Sequence, residues 1–526
     1  MKIISAEEAA LQIADYATVA SVGMGLSGWP DEIAAAIADR YERTSHPKGI
    51  RFKQGSALGD FRERGPTRLG LDGLVAEWTG AHVGAARKLV GLAGEGKLKC
   101  FCLPQGIIVN QWREIAAGRP GLLTKIGLHT FVDPRYGGGA MNAAAGKGPL
   151  ELVEFRGEEY LFYPSFPVDA ALIRGTYSDQ AGNITFDHEP MIHEGLAVAS
   201  AVKRSGGIVI VQVEYLAENG ALPPKEVKIP GRLVDYVVVA TKKDACWQSP
   251  SEYYDPSLSG QRRRPVETIE PLPLDERKVI ARRCAAELSW GSLVNLGMGI
   301  PVLVGKVAAE ENCLDGICLS TESGIFGGVS SDRPSTTINA DAFIDHGAMF
   351  DIIDGGRLDM TCLGMGELDG DGNVNVSRFG GNIVGPGGFI DLTQSTRKFV
   401  FCGTLTGKSR MKVGGGKLQI IEEGGIKKLV KHVQQISFNG RHTLNGQEVV
   451  YITERCVMKM TGGGLTVVET APGIDVKRDI LEQAGFPLAV SPDVKPMDEG
   501  IFSEHWGGLK GSIDKNHSGR GQHDSK

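Results

Sequence analysis

The sequence predicts an α/β protein built from two related open α/β domains with largely parallel sheets, fused in one chain. Three observations carry this. Apolar strand-like runs alternate with helix-like segments along most of the chain. An apolar strand running into a Gly-Met-Gly turn occurs twice, as TVASVGMGL (18–26) and SLVNLGMGI (292–300), so that Gly23 and Gly25 align to Gly297 and Gly299. A strand–turn–strand pattern also occurs twice, at 168–186 and 358–376. There Asp169, Asp179, Gly182 and Asn183 align without gaps to Asp359, Asp369, Gly372 and Asn373. The first half is the longer of the two between these landmarks.

The elements follow in order. The opening MKIISAEEAALQIADYA has early acidic residues and no long apolar run, so it reads as an amphipathic helix rather than a signal peptide. After each Gly-Met-Gly turn comes a segment that suits a helix, PDEIAAAIADRY and PVLVGKVAAEE, with Pro30 and Pro301 near their starts. IVIVQVEYL (208–216), YVVVAT (236–241), GICLSTE (316–322) and KFVFCGTL (398–405) read as strands. Residues 1–246 form the first half. Residues 247–273, with five prolines and Arg262-Arg263-Arg264, read as a linker with a solvated basic cluster. Residues 274–507 form the second half, opening on the helix-like LDERKVIARRCAAELSW. Late segments read as strand, hairpin and, over GIDVKRDILEQAGF, a terminal helix. Residues 508–526 read as a loosely ordered tail.

Composition narrows the function. Net charge is −6 over 526 residues, which supplies no general field for nucleic acid. No run approaches the ~20 apolar residues of a membrane span. The nine cysteines are scattered, with no paired ligand spacing, and predict reduced thiols in a cytoplasmic protein. No metal site is expected. His129, His188, His193, His346 and His442 are assigned ordinary hydrogen-bonding roles. Glycine is abundant, 72 residues or about 14% against a usual ~7%, and clusters in short turns between apolar runs.

The segment that stands out is CLSTESGIFGGVSSD (318–332). Glu322 ends an apolar strand among small residues and glycines, where the backbone can turn sharply and a bulky ligand can approach. A carboxylate attacking a thioester becomes useful when its anhydride product keeps the acyl group activated. It then needs N–H donors for the developing oxyanion. Glycine turns at GPGGFIDLT (385–393), LPQGIIVNQW (103–112) and DPRYGGGAMN (133–142) could supply them. On composition alone a charged turn residue would look the same.

ESGIFGG resembles the E-x-G-x-x-G-G pattern of class I, glutamate-anhydride CoA-transferases, at Glu322, Gly324, Gly327 and Gly328. NLGMGIP resembles the segment preceding that motif in the family. LPQG and GPGGFIDLT resemble two further segments of 3-oxoacid CoA-transferases, and the wording is nearest the single-chain acetate and propionate enzymes. The resemblance covers roughly residues 1–500. It implies transfer of CoA between a short-chain acyl-CoA and a free carboxylate, by ping-pong kinetics through acyl-glutamyl anhydride and glutamyl-CoA intermediates. Glu322 would be the nucleophile. Gly388, with Gly387 beside it, would give backbone N–H to the oxyanion, and Gln105 a side-chain amide from the other half. Gly299, Gly324, Gly327 and Gly328 would lie along CoA, and Asn375 would contact it. Asn142 is a candidate for the acyl pocket, while Trp29 and Phe326 read as core. The resemblance implies no cofactor beyond CoA as co-substrate, and a homo-oligomer, dimer or tetramer.

Three rival readings stay open. Gly23-Met-Gly25-Leu-Ser-Gly28 is a literal G-x-G-x-x-G. A nicotinamide enzyme would need an acidic residue after the next strand, and IRFKQGS lacks one. An acyl-CoA hydrolase and a non-catalytic CoA-binding protein on the same fold are the others.

Overall fold

The structure is a computed structural model that describes residues 1–265, 269–330, 336–443, 446–462 and 464–520. The first half carries an eight-stranded parallel sheet. Its strands are β1 (Lys2–Ile3), β2 (Thr18–Ser21), β3 (Ile50–Ala57), β4 (Val75–His82), β5 (Lys99–Cys102), β6 (Ala170–Asp179), β7 (Ile208–Ala217) and β8 (Tyr236–Val239). Their order in space is β1-β8-β7-β6-β2-β3-β4-β5.

The second half carries β9 (Leu293–Leu296), β10 (Cys318–Thr321), β11 (Ile325–Phe326), β12 (Ala342–Phe343), β13 (Met360–Gly364), β14 (Lys398–Cys402), β15 (Glu448–Ile452), β16 (Cys456–Thr461), β17 (Gly464–Thr470) and β18 (Ala489–Pro496). Their order is β12-β11-β10-β9-β13-β14-β15-β16-β17-β18. The middle of this sheet, β10-β9-β13-β14-β15, is parallel, while β11, β12 and the β15–β16–β17 meander run antiparallel.

The duplication reaches individual hydrogen bonds. The order β8-β7-β6-β2-β3 in one half matches β15-β14-β13-β9-β10 in the other. In the first half Asp169 accepts from the Thr18 N–H at 2.7 Å; in the second Asp359 accepts from Leu293 N–H at 2.8 Å. Asn183 donates its amide to Asp179 and accepts from Gly231 N–H, and Asn373 does the same with Asp369 and Gly440. These aspartate–asparagine pairs are turn-formers, as the sequence predicts. Val19 pairs with Ala170 and Val294 with Met360, which puts Val19 and Val294 at equivalent places in their sheets. The glycine turn then begins at Gly23 in the first half and at Gly297 in the second, so the second half is one position shorter between strand and turn.

Three expectations change. GIDVKRDILEQAGF forms one short turn of helix, Val476–Asp479, and a 3-10 turn, Leu481–Gln483. The terminal helix lies later, at Leu509–Arg520, within the segment expected to be loose. There Leu509 and Ile513 are fully buried, Trp290 donates to Asp514, and Asn516 donates to the carbonyls of Ala286 and Leu288. The linker is also more than a solvated crossover. Leu258 is fully buried, Arg174 donates to the Trp247 carbonyl, and Arg264 N–H donates to Asn339 of the second half. Residues 266–268 and 521–526 of these segments lie outside the described residues, as do residues 331–332 of the CLSTESGIFGGVSSD segment. Among the described residues no helix is long and apolar enough to cross a membrane.

Candidate active site

The carboxyl ends of both sheets face a cleft of about 480 Å³ between the halves. The first half lines it with Met24, Gly25, Gly59, Phe61, His82 and Gln105. The second contributes 297–300, Glu322, 363–366, 384–389 and Lys428.

Glu322 reaches the cleft because β10 stops at Thr321 and reverses into β11. Gly324 N–H donates to the Thr321 carbonyl at 3.1 Å, closing a tight turn, and Thr321 and Ser323 hydroxyls meet at 2.7 Å. The turn hides Ser323 and leaves the Glu322 side chain half-buried at the cleft wall. Gly324, Gly327 and Gly328 do not lie along the cleft, contrary to expectation. A Cβ on them would come within 2.4 Å of Ile344 O, 1.9 Å of Asp341 Oδ2 and 2.2 Å of Ile338 O. They let the reversing strand press against 338–344, so they hold the hairpin that carries Glu322. Gly299 does line the cleft, with φ +90° and open space where a Cβ would sit.

Opposite Glu322 lies the 384–388 turn. A Cβ on Gly388 would stand 3.6 Å from Glu322 Cγ, so the two face each other directly. The adjacent glycines differ. Gly387 N–H already donates to the Ala81 carbonyl at 2.9 Å, and its own carbonyl accepts from Gln105 N–H at 3.1 Å. Gly388 N–H has no acceptor among the described residues. Gly388 is thus the donor with capacity to spare, and Gly387 is the clamp that sets it. The G-x-G-x-x-G glycines serve a tight turn: a Cβ on Gly23 would strike Ser27 O at 2.1 Å, and one on Gly28 would meet His193 at 2.8 Å.

Gln105 starts the helix Gln105–Ala116 behind Pro104 and is 2% exposed. Its amide nitrogen lies 2.9 Å from His346 Nε2, and His346 Nδ1 lies 2.7 Å from Glu194 Oε2. Burial alone would lower the His346 pKa, but Glu194, then Asp345 and Glu322, outweigh it and raise it. The Glu194 carboxyl, pushed up by burial, is held lower overall by His346. Behind the turn, Asp391 is buried with no well-formed hydrogen bond to either oxygen. Burial, then Asp354, pushes its carboxyl well up.

Two expected contacts do not reach the cleft. Asn375 is fully buried. Its amide donates to Glu367 and the Arg378 carbonyl, and its oxygen accepts from Ser377 and Arg378 N–H. Its polar atoms are spent on its own turn, and it does not line the cleft. Asn142 caps residues 143–145 and donates to the Ala93 and Leu98 carbonyls. Trp29 is core, at 1% exposure. Sequence reading missed Lys428, whose ammonium donates to Thr404 at 2.8 Å beside the cleft. It also missed the grouping of Cys284, Cys362 and Cys402, whose sulfurs lie within 4.8 Å of one another. All three are buried and come from far-separated elements, so no spacing in the chain announces them.

Comparison with known proteins agrees with this geometry. The family model described as Coenzyme A transferase matches residues 3–240. Caffeate CoA-transferase of Acetobacterium woodii is 55% identical over 516 residues, 97% of this chain and 98% of that protein. Acetate CoA-transferase YdiF of Escherichia coli is 38% identical over 507 residues, 95% of each. The crystal structure of the YdiF apoenzyme superposes with a TM-score of 0.91 at 38% identity, covering 96% of this chain and 97% of that one. A thioester complex of YdiF with CoA gives 0.90 at 37% identity, with the same coverage. With the shared length, the paired sheets and a cleft that joins them, the chain belongs to the coenzyme A transferase family and is an enzyme that moves CoA between an acyl-CoA and a carboxylate.

Proposed function

We propose that the transfer runs through Glu322 by a ping-pong route. The observation that carries it is the placement of one carboxylate, on a tight turn at the cleft wall, facing the uncommitted N–H of Gly388. A Glu322 oxygen attacks the thioester carbonyl, the C–S bond breaks, and CoA leaves as thiolate with an acyl-glutamyl anhydride behind. The thiolate then attacks the glutamyl carbonyl and expels the first acid as carboxylate, leaving a glutamyl-CoA thioester. An acceptor carboxylate attacks that thioester and the same steps run in reverse. No net proton is consumed. Each attack places negative charge on a carbonyl oxygen, where a fixed N–H donor is worth about 10²–10³ in rate.

The thioester described for the YdiF complex supports a covalent route. The acyl group follows from the cleft and the relatives together. One relative is named for acetate and another for caffeate. The walls here include the apolar side chains Met24, Phe61, Met298 and Phe379. Phe61 sits at φ +60°, a costly setting for a bulky residue, and is 52% exposed at the cleft. We therefore include aromatic acrylates beside the short-chain acids as acyl groups.

The test is mass spectrometry of the protein incubated with acyl-CoA and trapped with borohydride. Modification of Glu322 alone is expected, and Glu322→Gln should lose exchange by at least ~10³-fold. Exchange persisting in Glu322→Ala would sink the mechanism. Paired assays with acetate, propionate and caffeate rank the acceptors, and following free CoA separates exchange from hydrolysis.

A further inference from the structure

We propose that Glu194 and His346 form a positioning relay that turns the Gln105 amide so that its NH2 group, not its carbonyl, faces the thioester. The inference rests on the Glu322 reading and adds two residues to it. Both side chains are almost wholly enclosed, Glu194 at 1% and His346 at 2% exposure. They come from different halves and meet where Ile192 bridges Asp345 across the halves.

The heavy-atom geometry admits two proton arrangements. A neutral imidazole with its proton on Nδ1 gives that proton to Glu194 and accepts from the Gln105 NH2 through Nε2. The Gln105 carbonyl then points toward Gly387, where Oε1 lies 3.7 Å from the position a Cβ would take. A carbonyl there would repel a developing oxyanion. An imidazolium instead donates from Nε2, requires the amide oxygen against it, and swings the NH2 toward the turn. The two amide orientations occupy the same space, so the imidazole's charge selects between them.

The surroundings favour the imidazolium. Glu194 lies against Nδ1, Asp345 precedes it in the chain, and Glu322 faces it from the cleft. Asp345 is partly engaged, because it accepts from Gly347 and Ala348 N–H at the helix start. The basic side chains nearby have other hydrogen-bond and ion-pair partners. His193 meets Ser27 at 2.9 Å and Glu189, and Arg113 pairs with Asp351. The Phe350 ring closes the remaining side, 5.5 Å from the imidazole. The relay thus couples the nucleophile's own charge to the donor that serves it, and it assembles the oxyanion site from both halves.

The experiment measures the single-turnover rate of Glu322–CoA thioester formation against pH, by mass, in the full-length protein. Wild type should slow as pH rises through the deprotonation of His346. Glu194→Gln should cut the rate about 10-fold or more and move the fall to lower pH. His346→Gln, whose amide can donate to Gln105 without titrating, should recover much of the rate and flatten the profile. Nitrogen-15 histidine spectra should show His346 doubly protonated in wild type and singly protonated in Glu194→Gln. If Glu194→Gln does not fold, the His346→Gln profile and the wild-type spectrum still decide. A neutral His346 in wild type, or variants with the wild-type rate and profile, would overturn the relay. Failure of wild type to form any Glu322 adduct would instead overturn the nucleophile reading.

Discussion

Gly387 and Gly388 show how finely a backbone divides its work. One N–H is committed to Ala81, and the other has no acceptor among the described residues. Asn375 makes the opposite case, a polar residue near the site with nothing left to offer. Asn375→Ala strands buried partners in Glu367 and the 375–378 turn, and a cost of about 2–3 kcal/mol is expected by thermal or urea unfolding. The KM for CoA substrates should hardly move, whereas a CoA contact would raise it. Glu322, Gln105, Gly299 and Gly388, which the structure gathers at one cleft, were legible through segments that resemble a known family, since a carboxylate among glycines alone looks like a charged turn. Glu194 and His346 were not, because they lie far apart in the chain and only the docking of the halves brings them together.

The elements are tied by few but costly contacts. Glu287, just beyond the helix Glu276–Ala285, holds Arg283 at 2.8 Å and Lys398 of β14 at 2.6 Å. Burial would raise its carboxyl, but Lys398 and Arg283 bring it down to about 2. The folded value lies below an unfolded value near 4.5, so this stabilisation is complete above that pH and fades as pH falls toward 2. Stability should be flat in this respect from pH 7 to 5 and fall below ~4.5, by on the order of 3 kcal/mol from this group. Glu287→Gln should blunt that acid limb in urea titrations. The Leu509–Arg520 helix is tied by burial instead. Truncation after residue 508 uncovers the sites of Leu509 and Ile513 and should cost ~3 kcal/mol or more in urea unfolding. Its polar composition hid that helix from sequence reading, since two apolar anchors one turn apart give little periodic signal.

At the scale of the whole molecule, the duplication was legible because it kept its turn residues. Asp179 with Asn183 and Asp369 with Asn373 still make the same bonds, although most of the residues around them differ between the halves. The relative placement of the halves was not legible, since it depends on contacts between segments remote from one another in the chain. One such contact is the set of bonds from the Val83, Gly84 and Gln105 N–H groups to the 384–388 turn, with Gly387 N–H answering to Ala81. These bonds behave as a seam. If warming loosens that seam before either core melts, what is lost first is the alignment of Gly388 with Glu322. Heat inactivation should therefore precede the calorimetric transition and reverse on cooling, and acyl-CoA bound across the opening should close the gap between the two temperatures.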